Sequence, residues 1–395
     1  RRQRQMCIRD SSVERPVQLK KIKMSKADFF YKTYSVSNSL LPAMAVLVSI
    51  FVSACVTSPL LPYSEDATPL VLVPTSQAGV LDKRGRFREI FCAILEERGS
   101  ALPDYRPCDD ALVRVGPEPN GTGKSVALEQ SNRQLVAVIV PGVGWDCFSD
   151  WLDLKDSVQK HVHQFGYDQI IMKVDALSGS NNNARQIRDA IMAREPASAE
   201  PDLVLVGYSK GAPDILEAIV SYPEVHKRVA AVVSAAGAIG GSPLANDATQ
   251  SQLELMRHWP KAQCSSGDGG ALESLRPATR KAWLAKNSLP SDVPFYSLVT
   301  YPNPERISTV LLSSYEKLSR VDARNDGQLL FYDQIIPGST LLGYVNADHW
   351  ALSVPIARSH SMLGTTFVDQ NQYPREALLE ALLRFVEEDL AASAK

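Results

Sequence analysis

The chain has 395 residues, 45% hydrophobic and 22% charged, an ordinary globular balance that excludes disorder, collagen, coiled coil and a polytopic membrane protein. The formal net charge is −2, but the first 54 residues carry ten Lys and Arg against three Asp and Glu, which leaves the remainder at −9. Such a body offers no positive footprint for phosphates, so nucleic acid is not an expected partner.

The basic residues of the first segment, among them Lys20, Lys21, Lys23, Lys26 and Lys32, precede an uncharged apolar run over residues 40–54. That run is short for a membrane span and suits the core of a signal peptide. It ends in Val52-Ser53-Ala54-Cys55, which resembles a bacterial lipobox, so Cys55 is the expected lipidation site and the first residue of a mature lipoprotein. This implies a lipid-anchored protein of the bacterial cell envelope, with residues 24–54 as signal peptide. Residues 6–11 resemble the translation of an adapter used in sequencing libraries. Residues 1–23 are accordingly read as a non-native leader, with the native start at Met24. Residues 55–74, rich in Pro, Ser and Thr, read as a tether.

Residues 75–131 read as an N-terminal extension. A helical stretch over 87–98 carries Cys92 and is followed by a loop that leads to Cys108. An exported chain permits disulfides, and Cys92 with Cys108 is the preferred bridge; the pairing of Cys147 and Cys264 stays open. No C-x-x-C and no His at zinc spacing accompanies these cysteines, so no metal is expected. The loop 116–125 imitates a P-loop but has Glu118 where the motif needs Gly, and no helical periodicity follows it, so it reads as a turn.

From residue 132 onward, apolar strands alternate with amphipathic helices. The strands are expected at 135–140, 169–174, 203–206, 229–234, 295–300 and 341–345, and the helices at 149–165, 183–194, 213–221, 306–320 and 375–392. Uninterrupted apolar strands separated by helices specify an α/β fold: a mostly parallel central sheet covered on both faces. Residues 235–290 break the alternation and read as a cap-like insertion over the carboxyl edge of the sheet.

One junction carries chemistry. The strand over 203–206 runs into Gly207-Tyr208-Ser209-Lys210-Gly211, and a helical pattern follows at once. This is the context of a nucleophile elbow, where serine occupies a strained turn and small flanking residues avoid the neighbouring strand and helix. The turn also sets Ser209 at a helix N-terminus, whose free N–H groups favour developing negative charge.

With these features the sequence resembles the α/β-hydrolase superfamily over about residues 132–392. In that superfamily the order is serine, then a carboxylate, then histidine. The resemblance implies an ester hydrolase in which Ser209 is the nucleophile and His349, in the loop after the strand at 341–345, is the base, with His360 as its rival. It implies Asp326 of the Asn325-Asp326-Gly327 turn as the acid, with Asp322, Asp333 and Asp348 as alternatives by position. The oxyanion donors would be the N–H of Lys210 and that of Val143, with Gly144 as a second possibility, in the loop Val140-Pro141-Gly142-Val143-Gly144-Trp145. Trp145 would line an acyl pocket or cap the core. The substrate implied is a small or lipid-like ester, and no cofactor is needed. Two other readings stand beside this one: a thioesterase or peptidase on the same scaffold, and an inactive hydrolase-fold lipoprotein that binds envelope material.

Overall fold

The computed structural model describes residues 79–152, 157–195, 202–258, 262 and 264–393. The expected leader, signal peptide, lipidation site Cys55 and tether lie outside the described residues.

Eight strands form one sheet among the described residues, in the order β1-β8-β7-β6-β5-β3-β4, with β2 also paired to β8. The strands are β1 Leu81–Asp82, β2 Leu112–Val113, β3 Val136–Val140, β4 Asp168–Ile171, β5 Leu203–Tyr208, β6 Val229–Ala235, β7 Phe295–Thr300 and β8 Thr340–Val345. All pairings are parallel except β2 with β8. The main helices are α1 Arg84–Arg98, α2 Trp145–Leu152, α3 Ser157–His163, α4 Ser180–Ala193, α5 Gly211–Ser221, α6 Pro277–Lys286, α7 Leu312–Ser319 and α8 Arg375–Ser393.

The central strand shows why an uninterrupted apolar run is required. All six residues of β5 are buried, and their side chains alternate between two cores. Val204, Val206 and Tyr208 join a core that includes residues of α1, α3 and α8, while Leu203 and Leu205 join one that includes residues of α4 and α5. Each such aliphatic side chain contributes roughly 1.5–3 kcal/mol by leaving water, so a polar residue on either face of β5 is strongly disfavoured.

The structure shifts several expected bounds. The expected strand 169–174 is β4, which ends at Ile171; the Met172 N–H still donates to the Ile139 carbonyl of β3 at 2.9 Å, and Met172 and Val174 are buried in the core. The expected helix 149–165 is two helices, α2 and α3. The expected helix 306–320 is α7 preceded by the 3-10 turns Pro304–Arg306 and Thr309–Leu311. The segment 79–131 is woven into the same body. β1 pairs with the start of β8 and β2 with its end, and Phe87, Ile90, Phe91 and Ile94 of α1 are buried in the core shared with α8. Its strands are two residues long, too short for any periodicity to reveal.

Cys92 and Cys108 are bridged, and so are Cys147 and Cys264. The second bridge ties α2 to the insertion between β6 and β7, which contains the short helices Leu244–Asp247, Gln250–Met256 and Ala271–Leu275 and then α6. No described helix is long and apolar enough to cross a membrane.

Candidate active site

The turn between β5 and α5 is shaped by what cannot fit there. A Cβ on Gly207 would lie 2.4 Å from Ala212 Cα, and one on Gly211 would lie 1.9 Å from the Val140 carbonyl oxygen. Both obstacles are backbone and cannot yield. Between these glycines Ser209 adopts φ 54°, a left-handed conformation that a non-glycine residue holds only when its surroundings force it. The Ser209 carbonyl accepts from Ala212 N–H at 3.2 Å and from Ala238 N–H at 2.9 Å, so the elbow is anchored both to α5 and to the start of the insertion.

Gly142, in the loop after β3, faces this serine. A Cβ there would stand 2.7 Å from Ser209 Cβ and 3.1 Å from its Oγ, so glycine is needed for the loop to come this close. Among the described residues no protein acceptor takes the backbone N–H of Lys210, Val143 or Gly144. The Lys210 side chain turns the other way and is buried. Its Nζ lies 2.8 Å from both carboxylate oxygens of Asp214, which also accepts from Asn183 Nδ2 at 2.7 Å. A buried cation needs such a partner, and Asp214 supplies it.

Asp326 and His349, the residues expected as acid and base, meet on adjacent loops. His349 Nδ1 lies 2.8 Å from Asp326 Oδ2, and the His349 backbone N–H donates to the Asp326 carbonyl at 3.0 Å. Asp326 is fully buried and every carboxylate lone pair is directed. Oδ1 accepts from the N–H groups of Gln328 and Leu329 at 2.9 and 2.7 Å, and Oδ2 also accepts from Thr300 Oγ1 at 2.5 Å and Gln334 Nε2 at 3.4 Å. Thr300 ends β7 and Gln334 sits in the 3-10 turn Phe331–Gln334. Neither was among the sequence candidates, because an amide and a hydroxyl distant in sequence leave no local signature.

Tyr208 links the two halves. Its hydroxyl donates to the His349 carbonyl at 2.7 Å, and its ring stacks on the imidazole with centroids 5.1 Å apart. Burial, reinforced by Asp326 and Asp348, pushes the Tyr208 phenol well above its ordinary range, so it remains a hydrogen-bond donor.

The three rival carboxylates are engaged elsewhere. Asp348 caps the short helix His349–Ser353 by accepting from Ala351 N–H at 2.7 Å, and its other oxygen accepts from Ser308 N–H at 2.9 Å. Its carboxyl is raised by burial, an effect that these bonds oppose. Asp322 holds Arg324. Asp333 lies against Gly240, where a Cβ would come within 2.2 Å of its Oδ1, and burial pushes its carboxyl up to about 7 against the pull of Lys281. Of the other histidines, His161 is bonded to Glu380 at 2.7 Å and His226 faces Asp292 at 3.3 Å.

Asp146, Cys147 and Cys264 form the one group of metal-ligating residue types that comes together among the described residues, and its two sulfurs are consumed by the disulfide.

Among solved structures, the metagenomic carboxyl esterase MGS0156 shares 41% sequence identity with the chain at a TM-score of 0.75, and the match covers 84% of this chain and 99% of that one. More distant likenesses are the mature Bacillus licheniformis lipase BlEst2, at 18% identity, TM-score 0.44 and coverage of 62% and 95%. EstA from Clostridium botulinum stands at 12% identity, TM-score 0.46 and coverage of 76% and 99%. No family model and no curated protein matches the chain. The parallel sheet, the elbow at its carboxyl edge and the extent of the first likeness lead to one conclusion: the chain belongs to the α/β-hydrolase family of carboxyl esterases and lipases and is a carboxylic ester hydrolase.

Proposed function

We propose that the chain is an exported, lipid-anchored serine esterase that works through an acyl-enzyme. Ser209 Oγ attacks the ester carbonyl while its proton passes to His349 Nε2. Asp326 accepts the Nδ1 proton of the ring, which fixes the tautomer and stabilises the imidazolium. The tetrahedral oxyanion sits against the N–H of Lys210 and that of Val143, with Gly144 as an alternative donor. The C–O bond then breaks, the alcohol leaves with the proton from His349, and water, activated by the same imidazole, releases the acid. The observation that carries this reading is the 2.8 Å contact between His349 and a carboxylate whose other lone pairs are all occupied.

A fluorophosphonate probe reports an activated serine. Labelling that maps to Ser209 and disappears in His349→Ala supports the assignment; an unlabelled Ser209 in protein that hydrolyses esters refutes it. The anchor rests on the basic segment, the apolar run 40–54 and the tetrapeptide ending in Cys55. Metabolic labelling with a fatty-acid analogue is expected in the wild type and absent in Cys55→Ser. Equal labelling of both would remove the anchor from this account.

A further inference from the structure

The residue before the proposed nucleophile reaches across to the proposed base. Tyr208 is the last residue of β5, and its side chain joins the core that also holds Leu352, beside His349, and Leu379 of α8. There it meets His349 twice: the hydroxyl donates to the His349 carbonyl at 2.7 Å, and the ring stacks on the imidazole with centroids 5.1 Å apart and planes 29° from parallel. Asp326 holds the opposite sides of the same residue, with Oδ2 at 2.8 Å from Nδ1 and its carbonyl accepting the backbone N–H at 3.0 Å. The N–H, the carbonyl, Nδ1 and one ring face of His349 are thus all engaged. Nε2 is the ring nitrogen left to take a proton from Ser209.

Packing alone does not account for a tyrosine here. A leucine would fill the core between β5 and α8, but it has neither a hydroxyl for the His349 carbonyl nor a π face for the imidazole. A buried carbonyl left without its donor is costly. The face matters once the imidazole is protonated, because a cation within about 6 Å of an aromatic centroid is attracted by the ring quadrupole, most strongly where water is excluded. Tyr208 is 6% exposed and His349 4%, so water is largely excluded from their contact. The charged groups facing the pair are Asp326, Asp348 and Arg375, and the phenol stays protonated among them.

We infer that Tyr208 is a positioning residue for the hydrolysis: its hydroxyl and ring hold the His349 imidazole in place for the Ser209 proton, and its π face stabilises the imidazolium that forms. One dipeptide then serves both partners, since the backbone that strains Ser209 also carries the ring under His349. The inference rests on the serine-esterase reading, in which His349 takes that proton.

The test uses the full chain and p-nitrophenyl acetate, and compares the wild type with Tyr208→Phe and with a protein carrying pentafluorophenylalanine at position 208. Phenylalanine removes the hydroxyl alone. Pentafluorophenylalanine has nearly the same shape but a reversed quadrupole, so a difference between these two proteins reports the π face and not packing. Tyr208→Phe should lower kcat roughly two- to tenfold, the effect of one hydrogen bond, and leave the pH midpoint of kcat/KM unmoved. The fluorinated ring should lower kcat by a further factor of roughly two to thirty. It should also move the acidic midpoint of kcat/KM down by up to about one pH unit, because the imidazolium is no longer favoured. In both, KM should move much less than kcat. A folded fluorinated protein with the rate and midpoint of Tyr208→Phe overturns the inference, and so does a Tyr208→Phe protein with the wild-type kcat. Fluorophosphonate labelling of the same proteins separates the two claims. An unlabelled Ser209 in active wild type would refute the serine reading itself, whereas a labelled serine with unchanged rates would refute only the role of Tyr208.

Discussion

The two halves of the candidate site are held by different physics. On the nucleophile side, position is imposed by exclusion: Gly207, Gly211 and Gly142 allow backbone to approach where any Cβ would collide, and Ser209 is forced to φ 54°. On the acid side, position is imposed by hydrogen bonds, since Asp326 is held by two backbone N–H groups, Thr300, Gln334 and His349 across three separate segments. A steric constraint is written in consecutive residues. A hydrogen-bond network is written across the fold. The first should fail through displaced backbone and the second through a wrong proton arrangement, and substitutions can tell these apart.

The largest effect is expected on the acid side. Asp326→Asn keeps size and most contacts but offers Nδ1 an amide, which favours the wrong imidazole tautomer, so kcat should fall by up to roughly 10⁴ with the fold intact. Steady-state kinetics beside a melting curve checks this. A near-normal rate would return the role to Asp322, Asp333 or Asp348. On the nucleophile side, Gly142→Ala pushes the loop away from Ser209 and should lower kcat by roughly 10²–10³, the cost of losing an oxyanion donor. Because the defect is one of placement, KM should move much less than kcat. A loss confined to KM would show that the loop serves substrate binding alone.

These halves also differ in how much of them the sequence discloses. The elbow is visible because a strand of uninterrupted apolar residues, a Gly-x-Ser-x-Gly and a helical pattern are contiguous. His349 is singled out as a candidate by its place after the last apolar strand, and Asp326 only through the likeness of Asn325-Asp326-Gly327 to a known turn. The partners that hold that carboxylate, Thr300 and Gln334, lie 26 and 8 positions from Asp326, and nothing in their own surroundings marks them. The same limit explains the N-terminal segment. β1 and β2 have two residues each and exist because β8 offers them an edge, so their pairing is a tertiary fact without a sequence pattern. The Cys147–Cys264 bridge spans 117 positions, and cysteine spacing alone does not select it.

A smaller effect concerns stability and reaches neither half directly. Asp333 titrates near 7 because burial disfavours its charge. Its folded pKa thus lies above the unfolded value of about 4, so the native state binds the extra proton between those limits and stability falls as pH rises through that window. Asp333→Asn should raise the melting temperature at pH 7 and flatten its dependence between about pH 4 and 7, with activity little changed. An unaltered slope would mean that Asp333 is well solvated.

Ser209 and His349 are proposed to act as one unit, and a double-mutant comparison measures whether they do. Ser209→Ala and His349→Ala are each expected to abolish most of the ester hydrolysis, and the double variant should be scarcely slower than either, because once one member is gone the other has no function left to lose. Multiplied losses in the double variant, with all three proteins folded, would show that the two residues act independently and would contradict the account.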